Sequence, residues 1–145
     1  MSQQTVEIVR NLYEAINRLG AASLLELPDA ARRDFFRRSF DPELEIRQIP
    51  GLVDTAGTFR GYDGYLQATR ELVEVLNGIR FELGKEYARG DSVVFDVLAL
   101  ATGRASGVPV EIRIAHLWEL KEGLVRRWIV YPTLDEALEA AGLSE

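Results

Sequence analysis

The side chains best suited to chemistry lie in the last third of the chain, on two predicted neighbouring strands. His116 is the only histidine in the sequence. The alternation of residues 110–120 places it on an apolar face with Ile112, Ile114, Trp118 and Leu120. An imidazole in such surroundings can act as an acid, a base or a hydrogen-bond donor near neutral pH. The alternative is a core histidine whose ring nitrogens are satisfied by a carbonyl or a carboxylate.

Asp96, on the preceding predicted strand, is the second candidate. It shares a face with Val94, Leu98 and Leu100. If that face lines a cavity, the carboxylate needs a partner, and His116 on the adjacent strand is the natural one. An Asp–His pair orients the imidazole and raises its basicity. Two alternatives remain: a purely structural ion pair, or a one-residue difference in register that turns Asp96 to the outer face of the sheet.

The sequence offers little for a metal or a cofactor. It contains no cysteine, and its single histidine stands outside any cluster of carboxylates. Gly57, Gly61 and Gly64 do not follow a strand of a β–α–β unit, so a phosphate-binding loop is not expected. We therefore predict a protein that works without a cofactor and without a metal.

Composition places the chain among ordinary globular domains. Its 145 residues are 47% hydrophobic and 28% charged, which predicts a single domain over residues 1–145. The net charge of −6 argues against nucleic acid or an anionic membrane as a partner, because both require a cationic surface. No apolar run approaches the ~20 residues of a membrane span, and the N-terminus lacks a signal-peptide pattern. These features predict a soluble, cytoplasmic protein.

Helical periodicity dominates the first half of the chain. It predicts a first helix that ends near Gly20, a second helical stretch broken at Pro28-Asp29, and a third helix closed by Asn77-Gly78. The apolar side of the first helix carries Val6, Val9, Leu12, Tyr13, Ile16 and Leu19, and that of the third includes Tyr62, Tyr65, Leu66 and Leu72. A short strand over residues 44–49 and a glycine-rich loop over residues 50–61 precede the third helix. Asp54 and Arg60 of this loop could flank the mouth of a cavity.

Strand periodicity replaces helical periodicity after Gly78. Four alternating segments separated by turns predict an antiparallel meander whose last strand covers residues 124–131. Thr133-Leu-Asp-Glu136 is a capping box that opens a final helix, and Gly142 is its expected end. Helices first and strands afterwards indicate an α+β fold, with helices on one face of a twisted sheet.

The strand over residues 92–102 also predicts a quaternary structure. It is apolar on both faces: Val93, Phe95, Val97, Ala99 and Ala101 on one, and Val94, Leu98 and Leu100 on the other. A strand of this kind is covered on both sides. The helices supply one cover, and a second copy of the chain could supply the other. We therefore expect a homodimer through the outer face of the sheet.

Three segments give the chain a family resemblance. They are Tyr13-Glu-Ala-Ile-Asn17, Thr58-Phe-Arg-Gly-Tyr-Asp-Gly64 and Glu122-Gly-Leu-Val-Arg-Arg-Trp-Ile-Val-Tyr131. With this element order, the chain resembles the nuclear transport factor 2-like superfamily, and within it the SnoaL-like (polyketide cyclase) group. The resemblance implies a cone-shaped, curved antiparallel sheet with three N-terminal-half helices over its concave face and a short C-terminal helix. It also implies a pocket between helices and sheet, no metal, and usually a dimer.

Ketosteroid isomerases of the same superfamily allow a comparison by position. His116 falls where their protonated carboxyl oxyanion donor sits, and Trp128 and Val130 fall at cavity-lining positions. Gln48 stands about where they keep a general-base aspartate. Leu12 occupies the place of their oxyanion tyrosine, with Tyr13 one residue away. A glutamine cannot abstract a proton, so steroid isomerase activity is not expected.

The functional expectation is a pocket protein for a hydrophobic small molecule that carries a carbonyl group or fused rings. If it is an enzyme, His116 and Asp96 would move a proton α to a carbonyl, as in isomerisation or cyclisation. The pocket would be lined by Gln48, Trp118, Trp128, Val130, Leu12, Tyr13, Tyr65 and Leu98. The alternative is a non-catalytic module for ligand binding or dimerisation.

Overall fold

The structure is a computed structural model, and it describes residues 2–48 and 57–143. Within these residues there are five helices and six strands. The helices are α1 (Ser2–Leu19), α2 (Ala21–Glu26), α3 (Asp29–Ser39), α4 (Gly61–Val75) and α5 (Leu134–Ala140). The strands are β1 (Phe40–Arg47), β2 (Thr58–Arg60), β3 (Leu76–Arg89), β4 (Ser92–Gly103), β5 (Pro109–Lys121) and β6 (Leu124–Tyr131). The predicted α+β class is confirmed.

The helix boundaries follow from local chemistry. Gly20 has a φ of +81°, which ends α1 where the sequence predicts it. Pro28 directly precedes α3, so the predicted break in the second helical stretch separates α2 from α3. The third predicted helix ends earlier than expected, because α4 stops at Val75 and β3 begins at Leu76. Gly78, with a φ of +65°, instead lies in β3 beside an irregularity of the β3–β4 register.

The sheet is mixed, curved and unclosed. Its strand order is β2-β1-β6-β5-β4-β3, and β1 pairs in parallel with β6. The remaining pairs are antiparallel, so the predicted meander supplies four of the six described strands, and the parallel β1–β6 pair joins β1 and β2 to it. Residues 58–60 of the predicted loop form an edge strand. Asp54 lies outside the residues that the structure describes.

Two hydrophobic clusters divide the sheet into an inner and an outer face. The inner face packs against helices of the N-terminal half and carries Phe95, Trp118 and Val125. The outer face carries Val94, Ala115, Leu117 and Ile129, which pack against Ala137 of α5. A C-terminal helix therefore supplies part of the outer cover that we had expected from a second copy.

The C-terminal helix is capped as its sequence predicts. Thr133 Oγ1 accepts a hydrogen bond from the backbone N–H of Glu136 at 3.2 Å and bonds its carboxylate at 3.0 Å. Gly142 follows the helix with a φ of +71°. This cap fixes α5 over β4, β5 and β6. Across the described ranges, no helix is both long and apolar enough to cross a membrane.

Candidate functional site

His116 lies on β5 in the middle of the inner face. Its cross-strand neighbours are Phe95 on β4 and Val130 on β6. The residue is only 1% exposed, yet its side chain forms part of the wall of a cavity. Trp128 and Phe81 surround the imidazole edge-to-face, with ring centroids 5.6 and 5.1 Å away. The sheet thus places one polar ring among aromatic and aliphatic side chains.

The cavity has a volume of about 80 Å³ and is mostly apolar. Helices α1, α2 and α4 form one side, and the inner face of the sheet forms the other. The side chains on the helical side include Ile16, Leu24, Tyr65, Ala68, Thr69 and Leu72. Those on the sheet include Ile46, Gln48, Ile79, Phe81, Ala99, Ile112, Ile114, His116, Trp128 and Val130. No Asp, Glu, Lys or Arg lines it within residues 2–48 and 57–143.

Tyr13 of α1 is the hydrogen-bond partner of the histidine. Its hydroxyl oxygen lies 2.6 Å from His116 Nδ1 and accepts a hydrogen bond from Trp118 Nε1–H at 2.8 Å. All three groups are satisfied when the tyrosine proton is donated to Nδ1. That arrangement leaves the proton of the neutral imidazole on Nε2. The histidine is therefore held as a hydrogen-bond donor through its second ring nitrogen.

Burial keeps this network uncharged. Desolvation lowers the pKa of His116 to about 3, so its imidazole is neutral at physiological pH. Desolvation also raises the pKa of Tyr13 well above its usual value, although the hydrogen bond from Trp118 opposes the shift. A neutral imidazole with Nδ1 already occupied is a poor base. Its remaining N–H can donate to an acceptor such as a carbonyl oxygen.

Asp96 does not pair with His116, which corrects the sequence expectation. The β4–β5 register sets Phe95 opposite His116 and Asp96 opposite Ala115. Because side chains alternate along a strand, Asp96 lies on the outer face with Val94. There its Oδ2 atom lies 3.4 Å from Nη1 of Arg113. The alternative in which the register turns Asp96 to the outer face is therefore the correct one. The predicted Asp96–His116 pair does not form, so this carboxylate cannot take part in proton transfer with His116.

The other predicted site residues divide into three groups. Gln48, Tyr65, Trp128 and Val130 line the cavity. Leu12, Tyr13 and Trp118 are buried in the inner core without lining it, although Tyr13 and Trp118 hold His116 in place. Leu98 faces outward, because it shares the face of Asp96 on β4. Arg60 forms a surface ion pair with Glu45 at 3.5 Å.

Sequence reasoning missed much of the apolar wall. The unassigned residues come from α2, from the end of α4 and from β3, exemplified by Leu24, Leu72 and Phe81. Hydrophobic periodicity identifies the apolar faces of these elements, but it does not predict that the faces enclose a cavity. Ile112 and Ile114 carried a usable signal, because they share the face of His116 on one strand. Within the described parts of the chain, no three His, Cys, Asp or Glu residues are grouped to hold a metal ion.

Comparison with known proteins places this geometry in context. A family model described as the SnoaL-like domain matches residues 9–128. No curated protein matches the chain. A structure of a nuclear transport factor 2-like protein of unknown function from Burkholderia pseudomallei superposes with a TM-score of 0.73 at 18% identity, covering 96% of this chain and 97% of that one.

Two further structures resemble the chain to a similar degree. A putative SnoaL-like polyketide cyclase from Jannaschia sp. has a TM-score of 0.68 at 19% identity, covering 99% of this chain and 94% of that one. TerC, co-crystallised with polyporic acid, has a TM-score of 0.69 at 17% identity, covering 98% and 99%. At these identities the likeness shows the fold, not the activity.

Proposed function

We propose that this chain, which belongs to the SnoaL-like group of the nuclear transport factor 2-like superfamily, binds a compact, uncharged carbonyl compound in the cavity beside His116. The observation that supports this most is the Tyr13 hydroxyl bonded to His116 Nδ1 at 2.6 Å. With Nδ1 as the acceptor, the imidazole carries its proton on Nε2, for which no hydrogen-bond partner stands among the described residues. A carbonyl oxygen is the acceptor that suits such a donor.

The lining favours a neutral ligand. A charged ligand would have to leave water for a wall without a counter-ion among the described residues, which is unfavourable. The indole N–H of Trp128 is also buried without a hydrogen-bond partner among those residues. An acceptor on the ligand could satisfy it. Apolar contacts would supply most of the affinity, and the hydrogen bonds would set the orientation.

The volume favours a small ligand. A cavity of about 80 Å³ has room for several water molecules. It is smaller than the roughly 300–1,000 Å³ of pockets that hold drug-sized ligands. A single ring with a carbonyl group therefore fits the present shape better than fused rings, the other option in the sequence expectation.

A matched pair of ligands tests this proposal. Cyclopentanone and methylenecyclopentane have nearly the same shape, but only the ketone accepts a hydrogen bond. In titrations followed by NMR, we expect His116→Phe to weaken ketone binding about three- to tenfold, the value of one net hydrogen bond. Binding of the hydrocarbon should be unchanged. His116→Gln retains an N–H donor and should keep more of the ketone preference. Equal loss of both ligands in His116→Phe would contradict the proposal.

A second candidate function is proton transfer α to the carbonyl of the bound ligand, as in isomerisation or ring closure. It is favoured by the His116 donor, which could stabilise the developing enolate oxygen. It ranks second because no carboxylate lines the cavity among the residues described and Gln48 cannot act as a base. Deuterium exchange at the α-carbons of cyclopentanone distinguishes the two. Exchange above the buffer rate that disappears in His116→Phe indicates catalysis, and exchange at the buffer rate indicates binding alone.

A further inference from the structure

A second concave site lies beside α3, where helices and strand ends meet. It is a groove of about 450 Å³ between α3, the start of β1, the start of α4 and the start of β6. Its lining combines aromatic rings, guanidinium groups and two aliphatic side chains: Arg33, Phe36, Arg37, Phe40, Pro42, Tyr62 and Leu124. We call this set the α3 groove. Its volume lies within the range of small-molecule sites.

The aromatic floor of the α3 groove is rigidly packed. The rings of Phe36 and Phe40 stack with centroids 5.4 Å apart, and Tyr62 meets Phe36 edge-to-face at 5.3 Å. Phe36 and Phe40 are buried, with 5% and 1% exposure. Pro42, Tyr62 and Leu124 complete the apolar part of the lining. The floor therefore offers a narrow apolar surface that needs no rearrangement.

Positive charge surrounds this floor. Helix α3 carries four arginines and two aspartates, which gives it a net charge of +2 in a chain of net charge −6. Arg33 lies over the Tyr62 ring at 4.5 Å and donates its Nε–H to Asp29 at 2.8 Å. Arg37, one turn further along, is exposed and forms no ion pair with any residue that the structure describes. Among the described residues, the Arg37 guanidinium is therefore a cation of the groove without a carboxylate partner.

The two carboxylates that act on Arg33 form no ion pair with Arg37. Asp29 accepts from Arg33, Arg32 and the Tyr62 hydroxyl, and the hydrogen bond from Arg33 is the first cause that holds its pKa below the usual range. Asp63 lies close enough to Arg33 to act on it electrostatically. Asp34, on the same helix, pairs with Arg38, so none of these three carboxylates forms an ion pair with Arg37.

The α3 groove is separate from the cavity beside His116. Tyr65 lines that cavity, and its ring contacts Phe36 and Phe40 with centroids 5.7 and 5.1 Å away. Phe36 and Phe40 line the groove on the opposite side. One layer of aromatic rings therefore divides two sites of different chemistry. The cavity beside His116 is apolar and carries a neutral hydrogen-bond donor, whereas the α3 groove is aromatic and carries cationic guanidinium groups.

We propose that the α3 groove binds a small aromatic carboxylate, with the carboxylate on Arg37 and the ring against Leu124 and the part of Tyr62 that Arg33 does not cover. A guanidinium group can hold a carboxylate through two parallel hydrogen bonds, which orients the ligand as well as attracting it. The ring would extend the aromatic packing of the floor and replace water there. The remaining Arg33 N–H groups flank the same opening. This site does not depend on the function proposed for the cavity.

Binding of 2-naphthoate tests the α3 groove, with 2-naphthalenemethanol as its uncharged counterpart. We expect naphthoate to shift the NMR signals of Tyr62 and Leu124 but not those of His116. Arg37→Gln should raise its Kd about tenfold, because the charged hydrogen bonds are lost. Arg38→Gln is the matched control: it neighbours Arg37 and pairs with Asp34 at 3.2 Å, away from the groove lining. It should change the Kd by less than about twofold.

Three outcomes would overturn the proposal. They are equal affinity for the acid and the alcohol, an Arg37→Gln variant that binds naphthoate as the wild type does, and shifts centred on His116 rather than on Tyr62. Both substituted arginines are exposed, so neither variant should lose the fold. Raising the salt concentration should weaken binding of the acid and leave binding of the alcohol unchanged.

Discussion

The residue that organises the site is Tyr13, not Asp96. A carboxylate beside the histidine would favour an imidazolium ion and general-base chemistry. The tyrosine hydroxyl is neutral, and its own pKa is raised by burial. It therefore supports a neutral imidazole with a fixed proton on Nε2. This difference favours hydrogen-bond donation over proton abstraction as the proposed role of His116.

The buried histidine predicts a pH dependence of folding stability. His116 titrates at about pH 3 in the folded chain, below its ordinary value of 6.5. Between these values the unfolded state binds a proton that the folded state does not, so the free energy of unfolding falls as the pH falls. The slope from this one group is about 1.4 kcal/mol per pH unit. Its contribution is fully present above pH 6.5 and is lost progressively towards pH 3.

Urea unfolding at pH 7.5 and pH 5.0 measures this effect when wild type is compared with His116→Phe. The variant lacks the titrating group, but its Tyr13 hydroxyl loses an acceptor, so it should be less stable at pH 7.5. We expect the stability difference between the two proteins to shrink as the pH falls to 5.0. A difference that stays constant would show that His116 is not buried in its neutral form.

At the scale of elements, a row of alternating charges crosses the outer face of four strands. Arg60 on β2, Glu45 on β1, Arg127 on β6 and Glu119 on β5 are consecutive cross-strand partners. Arg127 bonds Glu119 at 2.8 Å, and Arg47 approaches Glu45 at 2.6 Å. Opposite charges on neighbouring strands stabilise one register and disfavour a slipped one. The row thus secures the parallel β1–β6 pair, which positions Ile46 and Trp128 at the cavity.

Replacing the central carboxylate tests this row. Glu45 is a buried acid, with a side chain that is 10% exposed among three arginines. Glu45→Gln should lower the free energy of unfolding by about 1 to 2 kcal/mol, because the arginines are partly exposed and water replaces some of the lost attraction. Glu43→Gln is the control, since Glu43 is 77% exposed and 4.0 Å from Arg126. It should cost less than about 0.5 kcal/mol. If Glu45→Gln and Glu43→Gln lower the free energy of unfolding equally in urea titrations, the row of charges has no particular role in stability.

At the scale of the whole molecule, the outer face of the sheet is only partly covered. Helix α5 packs over Val94, while Leu98 on the same face of β4 remains partly exposed beside the Asp96–Arg113 pair. A second copy could cover this remainder. We therefore keep the homodimer as a prediction, with an interface centred near Leu98 rather than over the whole face.

Light scattering after size-exclusion chromatography tests the dimer. We expect the mass of two chains at micromolar concentration, and a single chain for Leu98→Lys, because a lysine would be desolvated in the interface. Val108→Lys is the control, since Val108 is a large hydrophobic residue with 57% exposure outside the predicted interface. It should leave the dimer intact. A monomeric wild type would contradict the prediction.

Much of the architecture could be predicted from local sequence. The stop at Gly20, the break at Pro28, the capping box at Thr133 and the alternation of β5 each depend on neighbouring residues, so each is visible in the chain itself. The family resemblance is also local, and the family match over residues 9–128 confirms it. These features determined the α+β class and the placing of His116 on an apolar strand face.

The tertiary structure decided two questions that the local sequence pattern leaves open: which face of β4 is buried under the helices, and which residue bonds His116. The strand that carries Asp96 is apolar on both faces, so alternation alone cannot say which face packs against the helices. The contact that selects the chemistry joins Tyr13 to His116 across 103 residues, and no local period reports it. The sequence determined which residues share a face. Only the packing of α1 against the inner face and of α5 against the outer face decided which of them meet, because burial depends on the whole chain.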